Sequence, residues 1–374
     1  MSAARVVITL PARPDCTVRI GARLLGSVGR DLARIHPGFS RAILLSDKRS
    51  GEVFRSSVKA ALSQEGWKAL DITVPDGRSA CTDACAGELW SAFAQSGISA
   101  DTVLVALGGL SVCDIGLYVA AGYRGGIPCA LVPTTSEAIV LAATLPSVGI
   151  DAQGQHAVAT ATPLPTYLCA SLDTLSDQRT SEFQAGYAEA VRGSMLGTHD
   201  EFFQVADQAS ALQGGDVEAQ TAVFALANIA RADALARVSP FPPHDLMGEG
   251  LCYGDSLSLA ARIAGWEEEG LQGRLLADGL RFEARLGVAL GITPLELMTE
   301  QDKLLASLGL TAVAGLPDAA DLVDALSEVP GQPTGMLRFA LPVDAGTFQV
   351  TEVDPALVAE HLRARQESLD SADC

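Results

Sequence analysis

Two short stretches of this 374-residue sequence have residue types and spacings that could do chemistry. The first is VLVALGGLSVCD, Val103 to Asp114: an apolar run, the pair Gly108–Gly109, then residues able to begin a helix. A strand that turns through glycines into a helix points free N–H groups and the positive end of the helix dipole at an anion. That is one way a backbone cradles a phosphate. The second is GYAEAVR, where Glu189 and Arg192 stand three apart and share one helix face. Read alone, such a pair is a surface ion pair. Cys81 and Cys85, four apart, also share a face. A metal pair is open there, although a plain helix face is the ordinary reading. His36, His199 and His361 sit in polar helix or loop contexts and call for no functional reading.

The elements that must position these groups follow from the pattern of apolar residues. RVVITL, CTVRIG, RAILLSD, KALDITVPDG, TVLVALGG and PCALVPTT read as strands, separated by helical runs at Ala22–Ile35, Phe54–Gln64, Thr82–Ser96 and Asp114–Tyr123. Apolar strands alternating with helices imply a parallel sheet covered on both faces. From about Thr180 the punctuation changes to long helical runs at Glu182–Leu196, Asp216–Arg237, Gly250–Ala264 and Leu271–Leu286. The expectation is an α/β Rossmann-like nucleotide-binding domain over residues 1–178 and an all-α domain over 179–374, divided near SLDTLSDQRT.

Composition narrows the function. The chain carries a net charge of −19, which repels phosphate backbones and anionic membranes and argues against nucleic-acid binding. Mean hydropathy is +0.25 with 48% hydrophobic residues, so a large core is expected. No apolar run reaches the roughly 18 residues a membrane span needs. Eight cysteines without a CxxC framework suggest free thiols and a cytoplasmic location. Only four lysines are present, Lys48, Lys59, Lys68 and Lys303, so arginine would have to hold any phosphorylated substrate.

In order and spacing, VPDG, SADTVLVALGGLSVCD, PCALVPTT, SLDTL and FQAGYAEAVR resemble 3-dehydroquinate synthase, of the sugar-phosphate cyclases; weaker traces reach GMLRFAL near the end. The resemblance implies that fold, a homodimer, and a chemistry that uses NAD and a divalent metal, zinc or cobalt. Oxidation, phosphate elimination, reduction and ring closure would turn a small anionic sugar phosphate, a heptulosonate phosphate, into dehydroquinate. It assigns Asp47, Gly108, Gly109, Asp114, Thr134 and Thr135 to the cofactor. It assigns Glu189, Arg192, Arg237 and His244 to catalysis, with Glu189 and His244 as metal ligands.

The departures from the family pattern cluster at the site. Leu110 and Cys113 stand where the family has glycines, adding bulk where a pyrophosphate would approach. Arg78 and Cys81 replace a glutamate and a lysine. Leu141, Ser147, Asp151, His156 and Ala157 replace five polar or charged groups, and Arg192 replaces a lysine. Phe241 and Gly248 replace an asparagine and a ligand histidine. Tyr253 and Asp255, in YGD, are the nearest equivalents of the final ligand motif, with Asp255 the better donor. The expectation is therefore a degenerate, catalytically impaired or repurposed member. An active cyclase with a rearranged site is the alternative, and a metal-dependent polyol dehydrogenase a second.

Overall fold

The computed structural model describes residues 15–153, 155–238, 246–266, 270–329 and 332–372. The strand expected over RVVITL and the ligand expected at His244 lie outside them. The N-terminal elements are β1 (Thr17–Gly21), α1 (Val28–Ile35), β2 (Arg41–Ser46), α2 (Lys48–Gln64), β3 (Lys68–Thr73), α3 (Asp83–Gln95), β4 (Thr102–Gly108) and α4 (Leu110–Gly122). They continue with β5 (Cys129–Pro133), α5 (Ser136–Leu141), β6 (Val148–Ala152), β7 (Gln155–Ala161) and β8 (Tyr167–Ser171). Six strands form a parallel sheet in the order β1-β8-β5-β4-β2-β3.

The sheet is buried on both faces, and alternation along each strand decides which residue goes where. Ala42, Leu44, Val103, Val105 and Leu107 pack with Val28 and Leu32 of α1 and Val58 and Leu62 of α2. Ile43, Leu45, Leu104 and Ala106 face the other way, into a core shared with Ile115 of α4 and Ile139 of α5. That second core runs without a break into the C-terminal half, through Tyr187, Phe224 and Leu305. The two halves are therefore joined by apolar packing beneath the C-terminal ends of the strands, the usual place for a site in an open α/β sheet.

The C-terminal half holds α6 (Thr180–Met195), α7 (His199–Asp207), α8 (Ala209–Gln213), α9 (Val217–Arg237), α10 (Ser256–Ile263), α11 (Gln272–Ala289), α12 (Leu295–Ser307) and α13 (Ala319–Ser327). An antiparallel hairpin, β9 (Leu337–Asp344) and β10 (Thr347–Val353), follows, then α14 (Pro355–Ala372). The half is helical but not purely so: Leu337, Phe339 and Leu341 of β9 complete a core with Leu257, Phe282 and Leu322. A second hairpin, β6 with β7, buries Val148 and Ile150 of β6 in the main core. Among the described residues no helix is long and apolar enough to cross a membrane, and all seven cysteines there are free.

Candidate functional site

A cleft of about 740 Å³ opens over the C-terminal ends of β2, β4 and β5. Its floor is the turn from β4 into α4. Gly109 is the N-cap of α4 and no side chain caps that helix, so the first turn relies on backbone alone. Gly108 lies just behind: a Cβ there would come within 2.6 Å of Val112 and 2.8 Å of the Asp47 carboxylate. Its carbonyl accepts from the Thr134 N–H at 3.0 Å, tying the β4 and β5 turns together. Gly109 has more room, since an added Cβ would meet Thr135 at 3.5 Å.

The walls come from the neighbouring turns. Asp47 caps α2, accepting from the Ser50 N–H at 2.6 Å and the Ser50 hydroxyl at 3.1 Å. That hydroxyl also meets Thr134 Oγ1 at 3.1 Å. Thr135 caps α5 through Ala138 N–H. Asp47, Gly109, Thr134 and Thr135 thus share the cleft with Leu110. Asp114 does not line it. That side chain is largely buried, 3.8 Å from Arg78, and burial pushes its pKa up to about 7. Cys113 is also absent from the cleft wall; it is fully buried in the core. Only Leu110, not Cys113, presents bulk to a ligand here.

Several cleft residues have no counterpart among the sequence expectations. Arg49 and Arg179 line it, and both donate to Glu182 Oε1, at 2.5 Å and 3.0 Å. Because Arg49 belongs to α2 and Glu182 to α6, this ion pair bridges the two halves. Glu137, in the first turn of α5, also faces the cleft. It has no ion-pair or hydrogen-bond donor among the described residues. Burial and the nearby Glu189 carboxylate push its pKa up to about 7. Thr174 could have been suspected from SLDTL. The pairing of Glu182 with two distant arginines carries no local signal.

Glu189 and Arg192 lie one helical turn deeper on α6, where every residue from Ala185 to Met195 is buried. Arg192 is therefore no surface partner. Its Nε and Nη2 grip Glu189 at 3.0 Å and 2.7 Å, and Nη1 reaches Asp255 Oδ1 at 2.6 Å. Burial works against the guanidinium, but Asp255 and Glu189 outweigh it and raise its pKa. Arg231 of α9 completes the cluster, 3.7 Å from Glu189, with its Nε on Thr144 Oγ1 at 3.2 Å. Burial, then the neighbouring Arg192, lowers the Arg231 pKa to about 10.

The remaining expected residues do not join them. Arg237, at the end of α9, is half exposed and ion-paired with Glu249. The Tyr253 hydroxyl is held between Gln301 Oε1 (2.9 Å) and the Leu280 carbonyl (3.1 Å), so it is turned away from Asp255. Arg78 is spent on Asp151, which also accepts from the Ala157 N–H and meets His156. Leu141 is core.

The donors among the described residues do not fit a zinc-type centre. Such a site needs about three protein ligands with free lone pairs, and both Glu189 oxygens already accept from Arg192. No group of three His, Cys, Asp or Glu side chains suited to a metal occurs among the described residues. A dinucleotide fits better: the bare α4 N-terminus suits a pyrophosphate, and hydroxyl-rich turns flank it.

The family model for the N-terminal region of 3-dehydroquinate synthase matches residues 71–185. The 3-dehydroquinate synthase of Symbiobacterium thermophilum is 28% identical over 357 residues, 93% of this chain and 97% of the relative. Among solved structures, the 2-epi-5-epi-valiolone synthase ValA of Streptomyces hygroscopicus subsp. jinggangensis 5008, with NAD+ and Zn2+ bound, superposes with a TM-score of 0.81 at 17% identity, covering 97% of this chain and 99% of that one. A 2-deoxy-scyllo-inosose synthase complexed with carbaglucose-6-phosphate, NAD+ and Co2+ gives 0.76 at 18% identity, covering 93% and 96%. With similarity along nearly its whole length and the fold to match, the chain resembles the 3-dehydroquinate synthases of the sugar-phosphate cyclase family.

Proposed function

We propose that this chain is a catalytically impaired, repurposed sugar-phosphate cyclase that still takes a nicotinamide dinucleotide in the cleft over β2, β4 and β5. One observation carries the reading: Arg192 binds both Glu189 and Asp255, so a guanidinium does the charge-balancing that a divalent metal would otherwise do. The loss of free cations supports it. Arg78 is committed to Asp151, and Arg49 and Arg179 to Glu182, so a sugar phosphate would have to break ion pairs to bind. Each charge-assisted hydrogen bond a ligand cannot make withholds roughly 1.5–3 kcal/mol. The dinucleotide, when bound, supplies a hydride acceptor or donor. The proposed division into domains at residues 178 and 179 puts the β2, β4 and β5 turns of the cleft on the first domain, and Arg179, Glu182 and Arg192 on the second. A homodimer is proposed from the family alone.

The test is direct. Purified protein is mixed with the heptulosonate phosphate, NAD+ and Zn2+ or Co2+, and phosphate release is followed. The expected rate lies at least 1,000-fold below the roughly 1–1,000 s⁻¹ of ordinary enzymes. NAD+ alone should raise the melting temperature, because it binds the folded state. Turnover at an ordinary rate would overturn this reading and establish the second one, an active cyclase with a rearranged site, which the full-length similarity to the synthases favours.

A further inference from the structure

We infer that Glu137 makes the cleft select the oxidised form of a nicotinamide dinucleotide, with its positively charged ring, over the reduced form, whose ring is neutral. The inference rests on the dinucleotide reading of the cleft and adds to it a property of this chain's own residue.

Four carboxylates line the cleft: Asp47, Asp76, Glu137 and Glu182. Three are engaged. Asp47 caps α2, Glu182 is gripped by Arg49 and Arg179, and Asp76 accepts from the Lys48 N–H at 3.3 Å. Glu137 alone lacks a donor among the described residues, so its charge is the one left for a ligand to answer. Its surroundings make that need strong. Burial, then Glu189 on α6, Asp114 on α4 and Glu182 on α6, oppose its ionisation, and Arg192 on α6 favours it; the cleft arginines Arg49 and Arg179 are paired with Glu182. From α9 the neighbouring side chain Asn228 offers its amide to the Ile139 carbonyl of α5 instead.

Sheet order says which end of a dinucleotide would meet this carboxylate. β4, with the phosphate-type turn, lies between β2 and β5. A dinucleotide centred on Gly109 therefore places one nucleoside over β2 and the other over β5. The β2 side carries Asp47, an acid at the position that suits the adenosine ribose. The nicotinamide falls on the β5 side, where Thr135 leads into Glu137 and where α6 brings Glu189 close. A cation beside an unpaired, partly desolvated carboxylate gains more than it would in water. The neutral reduced ring gains nothing from it and leaves the carboxylate unanswered.

The experiment measures dissociation constants of NAD+ and NADH by calorimetry at pH 8.5, above the Glu137 pKa of about 7, for wild type and for Glu137→Gln. Wild type should bind NAD+ roughly tenfold more tightly than NADH, and the variant should bring the ratio to within about twofold of one. The wild-type ratio is a test in itself, should the variant fold poorly. NADH binding as tightly as NAD+, or a preference unchanged in Glu137→Gln, overturns this inference and leaves the dinucleotide reading standing. Failure of both forms to bind overturns the dinucleotide reading and this inference with it.

Discussion

The cleft floor and the Arg192 cluster are joined by α5 and α6, yet they have met substitution differently. The floor is backbone. Its ligand-facing groups are N–H donors at the start of α4, which any residue but proline supplies, so Leu110 in place of glycine changes its shape without removing a donor. The cluster is side chains. Arg192 places a planar, five-donor fork where it holds two carboxylates at once. A site built from main chain erodes by crowding; a site built from side chains is rewired by a single exchange.

The largest effect expected from this contrast is at Arg192. Arg192→Ala leaves the buried Glu189 and the partly exposed Asp255 with Arg231 as the nearest remaining cation among the described residues, 3.7 Å from Glu189. Removing one partner of a buried pair costs about 3–5 kcal/mol. Urea unfolding should show that loss, and Glu189→Gln in the same background should recover part of it, because the two sites are coupled. Zn2+ should stabilise Arg192→Ala while leaving wild type within about 1 °C, a comparison that melting curves decide. A zinc-stabilised wild type would break the contrast.

The backbone half of the comparison is sharpened by its two glycines. Gly108→Ala drives a methyl to 2.6 Å from Val112 and should cost about 2–3 kcal/mol, as overpacking does. Gly109→Ala meets only Thr135 at 3.5 Å and should cost under about 1 kcal/mol. Equal losses would show that the turn is strained for a reason other than this close approach.

Asp114, on the α4 helix that begins at the cleft floor, lies 3.8 Å from Arg78 and gives a pH signature. Burial raises its pKa in the folded chain to about 7, against 3.8 for a model carboxylate. The unfolded chain therefore releases this proton first. The stabilisation is fully present below about pH 4 and is lost as pH rises through about 7. Asp114→Asn should flatten that decline and be more stable than wild type at pH 8 by on the order of 2 kcal/mol. A variant that is less stable at pH 8 would mean that the Arg78 ion pair outweighs desolvation.

What could be read from the sequence divides along the same line. The strands expected over the described residues, the glycine turn and the shared face of Glu189 and Arg192 follow from local periodicity, and each is present. The start of α4 at Leu110 rather than Asp114 shifts which side chains face the cleft, and spacing alone missed it. The partner of Arg192 is 63 residues away at Asp255, and that of Arg49 is 133 residues away at Glu182. No local pattern encodes such pairs. The β9–β10 hairpin escaped for another reason. LRFALPVD is nearly continuous in apolar residues, and its turn, Ala345–Gly346, is short, so no period separates it from a buried helix.

The smallest effect tests Leu110 against Cys113, the two replacements that sequence reasoning treats alike. Leu110 lines the cleft and Cys113 is in the core, so the same change to glycine should act on different quantities. Leu110→Gly should tighten NAD+ by a few-fold, under about 1 kcal/mol, because removing the side chain admits the pyrophosphate closer to the α4 N-terminus; the glycine penalty in a first helical turn keeps the net gain small. Cys113→Gly should leave NAD+ affinity unchanged and lower stability by about 1–2 kcal/mol, from a core cavity and a mid-helix glycine. If instead Cys113→Gly were the change that tightened NAD+, the α4 helix would have to rotate on binding, and the cleft floor would be a moving part rather than the fixed half of the comparison.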